Sequence, residues 1–132
     1  MIKLTKQNLT LKLLKDIYGV CRLNKDESIP SWAFDGEFSS ITKTDDELSI
    51  VCLKDNIPKD TKCELDWKIL KILGPLDFSL IGILSKISTL MAENNISIFA
   101  VSTYDTDYIM IKENDLKQAV SILENNSYKI IK

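Results

Sequence analysis

The chain has 132 residues, is 45% hydrophobic and 27% charged, and carries four glycines and three prolines, which fits one ordinary domain or two very small ones. Seventeen basic residues against nineteen acidic ones give a formal charge of −2, with Arg22 the only arginine, so the basic, arginine-rich face of a nucleic-acid reader is missing. There is no histidine, which excludes a Ser-His-Asp or Cys-His pair, an imidazole general base and a zinc site with a histidine ligand.

Residues 1–6 have no apolar core of the kind a signal peptide needs. The longest uncharged run, 94–104, falls short of the roughly 18 residues that span a bilayer. The expectation is a soluble, cytoplasmic protein with no membrane partner. Cys21, Cys52 and Cys63 form no C-x-x-C pair, and their odd number suits three small, mostly buried side chains in a reducing compartment.

In the first half, residues 28–34 allow at most a turn or two of helix, because Pro30 can only sit at a helix start. Residues 67–73 alternate as a strand that Gly74-Pro75 stops. Leu80, Ile83, Leu84, Ile87, Leu90 and Met91 then form the apolar stripe of a helix lying on a sheet, with Asp77 or Ser79 as its cap. Asn94-Asn95 suits a left-handed turn at its end. Strands follow at 96–102 and 107–112, joined by a turn at Tyr104-Asp105. A second helix starts at Asp115, with Gln118 completing a capping box, and ends at Asn125-Asn126 before a last strand at 128–131. The order from residue 67 is βαββαβ, the ferredoxin-like unit.

The first half resembles the second. Leu11-Lys12-Leu13-Leu14 matches Leu70-Lys71-Ile72-Leu73 at an offset of 59 residues, and residues 41–47 match 101–107 at an offset of 60. Agreement on one spacing predicts a duplication: a first copy over 1–63, degenerate in its helices, and a second over 64–132. A unit of about 60 residues is marginal alone, so the two sheets should pack or merge.

Four clusters could carry chemistry. The strand-to-helix loop Asp77, Phe78, Ser79, Leu80, Ile81 and Gly82 offers backbone N–H groups at a helix start, suited to a carboxylate or phosphate, against the plainer reading of an ordinary connection. Ser102-Thr103-Tyr104-Asp105-Thr106-Asp107-Tyr108 forms a polar turn whose two carboxylates could hold an ammonium or guanidinium, or could be a turn former and a solvated strand residue; its candidate binding residues are Ser102, Thr103, Tyr104, Asp105 and Asp107. Asp45-Asp46-Glu47 reads as a solvated hairpin tip rather than a metal site. Trp32, Phe34 and Phe38 around Gly36 read as core. No nucleophile–base pair is visible; the expectation is no catalytic residue, metal or cofactor.

Residues 67–123 resemble the ACT domain, most closely a bacterial branch of small tandem ACT proteins. The phrases that carry the likeness are residues 74–84 and the long run 96–109, with 20–23, 29–32 and 44–51 fitting in the first half. The chain is also similar to the ACT repeats of cytosolic arginine sensors and to aspartate kinase regulatory domains. The resemblance implies two tandem ACT domains of α+β class and a regulatory module that binds a small molecule, usually an amino acid, between two such units. It implies main-chain contacts from residues 77–82 and side-chain contacts from 102–107, with Asp107 meeting a cationic group. It also implies signalling through a homodimer or an unknown protein target; a ligand-free association module is the alternative.

Overall fold

The computed structural model describes residues 9–73 and 82–132. In chain order its strands are β1 (Thr10–Leu13), β2 (Tyr18–Leu23), β3 (Ser40–Lys43), β4 (Leu48–Leu53), β5 (Lys62–Ile72), β6 (Ile98–Ser102), β7 (Asp107–Lys112) and β8 (Lys129–Ile131). The helices are α1 (Ile83–Glu93) and α2 (Leu116–Asn125). Two compact units are present: residues up to 15 together with 68–132, and residues 16–67. β5 contributes its second part to the former and its first part to the latter.

The unit containing 68–132 shows the expected βαββαβ order, from β5 through α1, β6, β7 and α2 to β8. Its strands lie in the order β6-β7-β5-β1-β8. β1 runs antiparallel to β5, with Leu11 opposite Ile72 and Leu13 opposite Leu70, and parallel to β8. The segments Leu11–Leu13 and Leu70–Ile72, whose likeness suggested two equivalent strands, are therefore direct neighbours in one ladder.

Alternation of apolar and polar residues sends one side of these strands inward. Leu11, Leu70, Ile72, Ile109 and Ile111 meet Ile87 and Met91 of α1 and Ala119 and Leu123 of α2 in a single core. Ile83, Leu84 and Leu90 pack at its margin, as the helical stripe predicts.

Both helices end on an asparagine whose side-chain amide donates to the carbonyl four residues back: Asn94 to Leu90 and Asn126 to Ile122, each at 2.8 Å. The left-handed residue that follows is Asn95 (φ 59°) after α1 but Ser127 (φ 73°) after α2. The starts differ from expectation. α1 begins at Ile83 with Gly82 in the capping position, and Asp77 and Ser79 lie outside the described residues. Asp115 stands at the N-cap of α2 without a side-chain capping bond, because a 3-10 turn over Glu113–Asp115 already leads into the helix. The capping box with Gln118 is not formed.

The unit of residues 16–67 is an antiparallel ladder in the order β3-β4-β2-β5. Its helical content is short 3-10 turns, Ser31–Phe34 and Lys54–Asn56, in keeping with the limit set by Pro30. Cys21, Ala33, Leu48, Ile50 and Cys52 form its core, with Trp32 and Ile57 packed against it. Of the three aromatics read as core, Phe38 is buried edge-on against Tyr18, with ring centroids 6.2 Å apart, but Phe34 is 59% exposed. β5 is 11 residues long, five longer at its start than the alternation from Trp67 suggests, and it carries a bulge opposite β2. Asp66 takes a left-handed conformation there (φ 70°), and its carboxylate accepts a 2.6 Å bond from the Lys54 ammonium.

Candidate functional site

The polar turn between β6 and β7 is built by a threonine. Thr103 N–H donates to the Thr106 carbonyl at 2.8 Å, and the Thr103 hydroxyl donates to the same oxygen at 3.0 Å. A side-chain oxygen that mimics backbone partners closes a tight turn without glycine. The hairpin between β3 and β4 is closed the same way: Thr44 N–H donates to the Glu47 carbonyl at 2.9 Å, and the Thr44 hydroxyl accepts from the N–H groups of Asp46 and Glu47. Lys43 faces Leu48 in one hairpin as Ser102 faces Asp107 in the other. The two hairpins are thus equivalent at an offset of 59 residues rather than 60, which aligns Asp45-Asp46-Glu47 with Tyr104-Asp105-Thr106.

Ser102, Thr103, Tyr104, Asp105 and Asp107 all lie on the β6–β7 turn, as expected. Tyr104 is 83% exposed. The Ser102 hydroxyl donates to a carboxylate oxygen of Asp107 at 2.5 Å across the strand ends. A carboxylate has about four lone-pair positions, so this bond orients Asp107 while leaving it able to accept from a cation. From the neighbouring strand β5, the Lys71 ammonium lies 5.9 Å from the centre of the Tyr108 ring on β7, a cation–π contact.

The residue missed from sequence is Thr106. It is 4% exposed, the buried polar residue among the described ones, and its hydroxyl donates to the Ile72 carbonyl at 2.5 Å. Ile72 is the last residue of β5. Thr106 therefore pins the polar turn to the end of that strand. A hydroxyl amino acid placed just before an apolar strand was the available signal. Replacing Thr106 with Val should cost about 1–3 kcal/mol, because the buried Ile72 carbonyl loses its donor, while Ser should restore most of the loss. Thermal denaturation of both variants checks this; equal melting of Val and wild type would remove the pin.

Of the loop residues, Asp77, Phe78, Ser79, Leu80 and Ile81 lie outside the described residues. Gly82 has φ 81°, and its carbonyl accepts the Lys86 N–H at 2.9 Å, opening the first turn of α1. Away from this site, an open groove of about 450 Å³ runs along α2 over Leu13, Leu116 and Val120, with Lys117, Glu124 and Lys132 at its sides. Among the described residues, none of the predicted binding residues lines it. Among the described residues, no group of three or more His, Cys, Asp or Glu side chains is arranged to hold a metal ion, and no helix is long and apolar enough to cross a membrane.

Comparison with known proteins agrees with this architecture. A family of N-terminal domains matches residues 16–60, and the ACT domain matches residues 62–125. The crystal structure of protein Atu0741 from Agobacterium tumefaciens is 42% identical, with a TM-score of 0.88 over 93% of this chain and 92% of that one. The regulatory subunit of aspartate kinase from Thermus thermophilus, in its ligand-free form, is 12% identical with a TM-score of 0.57 over 85% and 93% of the two chains. Clostridium acetobutylicum aspartate kinase is 14% identical with a TM-score of 0.62, covering 84% of this chain and 33% of that one. The two kinases speak for the fold alone. No curated protein matches the sequence. From the domain match and the βαββαβ order that runs through it, residues 62–125 of the chain belong to the ACT-domain family.

Proposed function

We propose that the protein is a cytoplasmic, non-enzymatic regulatory module that binds a small molecule, an amino acid by first choice, and answers by changing its association with itself or with a protein target. Residues 77–82 supply main-chain groups to the ligand. Ser102, Thr103, Tyr104, Asp105 and Asp107 supply side chains, with Asp107 meeting a cationic group. The observation that carries this reading is the Thr106–Ile72 bond, which holds the oriented Ser102–Asp107 pair at the end of β5. Such pre-organisation lowers the ordering cost of binding. In this reading the chain is a tandem, a degenerate copy over 1–63 followed by an ACT copy over 64–132. Homodimerisation across the outer edge of β6, which among the described residues pairs only with β7, would couple two sites.

The test is a thermal-shift screen against the twenty amino acids. A ligand at about 100 times its dissociation constant adds roughly 2.7 kcal/mol, which moves the melting point by several degrees in a chain of this size. Asp107→Asn keeps an acceptor for Ser102, so it should leave the unliganded melting point nearly unchanged and abolish the shift by a cationic ligand. An undiminished shift in that variant would take the role from Asp107. A flat profile at high concentrations would favour the ligand-free association module.

A further inference from the structure

Three adjacent strands of the 16–67 unit each carry one cysteine on the same face. Cys21 of β2 stands directly opposite Cys63 of β5. Cys52 of β4 stands opposite Gly19, two residues from Cys21, and side chains two apart on a strand share a face. Cys21 and Cys52 are buried and Cys63 is half-buried. Cys63 is the least buried of the three, which makes it the sulfur a small reagent reaches first.

Geometry selects one pair. Directly opposite residues on antiparallel strands have Cα atoms about 4.5–5.5 Å apart, within the roughly 4.4–6.8 Å that a disulfide spans. Cys21 and Cys52 are diagonal neighbours, a placement whose separation is typically about 7–8 Å, beyond that span. The three sulfurs are also not arranged as a metal cage.

We propose that Cys21 and Cys63 are a peroxide-oxidisable dithiol that closes to a cross-strand disulfide, leaving Cys52 as the free thiol beside it. In the first step the Cys63 sulfur attacks one oxygen of hydrogen peroxide and the O–O bond breaks. Cys63 becomes a sulfenic acid, oxidised by two electrons, and the departing hydroxide takes up the thiol proton as water. In the second step the Cys21 sulfur attacks the Cys63 sulfur, the S–O bond breaks, and its oxygen leaves as a second water with the Cys21 proton. Burial pushes the Cys63 thiol up, so the thiolate is scarce at neutral pH and the oxidant is needed in excess.

The experiment exposes the reduced full chain to excess hydrogen peroxide, removes the oxidant, alkylates under denaturing conditions and maps the cysteines by mass spectrometry. The expected result is loss of two hydrogens, alkylation confined to Cys52, and a Cys21–Cys63 linked peptide that dithiothreitol reverses. Cys52→Ser should behave alike, and Cys21→Ser should leave a Cys63 sulfenic acid that dimedone captures. Three alkylatable cysteines after peroxide, a link involving Cys52, or a link between two chains would each overturn the proposal. None of these readouts depends on a ligand at the β6–β7 turn.

Discussion

Leu70→Ala is expected to lower the melting temperature by about 6–25 °C. Leu70 has no exposed surface, and its side chain joins Leu11, Ile72, Ile109, Met91 and Leu123 in the core. Truncating a buried leucine costs about 2–5 kcal/mol, the upper end applying where the surroundings cannot collapse into the space. Here they are poorly placed to do so, because β5 is hydrogen-bonded to β1 on one side and to β7 on the other. One kcal/mol corresponds to roughly 3–5 °C in a chain of this length. Circular dichroism melts give the check; a loss below about 1 kcal/mol would mean that the core repacks around the site.

Gly36→Val should be nearly as damaging, for two separable reasons. Gly36 has φ 94°, a conformation that costs a residue with a side chain about 1–2 kcal/mol. A Cβ there would also stand 2.9 Å from Leu53 Cγ and 3.0 Å from both of its methyl carbons. Cγ is a branch point, so Leu53 cannot yield by turning a terminal methyl aside, and overpacking adds about 1–3 kcal/mol. The total is about 2–5 kcal/mol, read as a lowered urea midpoint at unchanged slope. Gly82→Ala provides the comparison. Its φ is 81° but no atom of the described residues lies within 4 Å of the added carbon, so the backbone cost is the one expected. Equal losses at both positions would rule out the Leu53 clash.

The second half was legible because its signals are periodic. The helical stripe from Ile83 to Met91 reflects burial on one face, and β-branched and aromatic residues mark the strands at 98–102 and 107–112. Partner choice leaves no comparable trace. A four-residue strand such as β1 records which of its faces is buried, but not which strand lies beside it. Leu11–Leu13 and Leu70–Ile72 look alike because neighbours in one ladder cover the same core. The early part of β5 escaped notice because Lys62, Glu64 and Asp66 alternate with Cys63 and Leu65 in a weakly hydrophobic way. The polar turn was visible as a cluster of oxygens, but Thr106, which anchors it, looked like one more turn residue. The capping box at Asp115 failed because the 3-10 turn before α2 had already set the backbone there.

The position of β1 between β5 and β8 also fixes an order of assembly. Joining β1 to β5 closes a loop of about 55 residues, at an entropic cost of about 3.5 kcal/mol, against about 1 kcal/mol for the four-residue β6–β7 turn. The hairpin therefore has the head start, and β1 must wait. On a growing chain the wait is longer still, because β8, its parallel neighbour, is made some 115 residues later. Leu11, wholly buried in the finished fold, is among the first core residues synthesised and among the last to be covered.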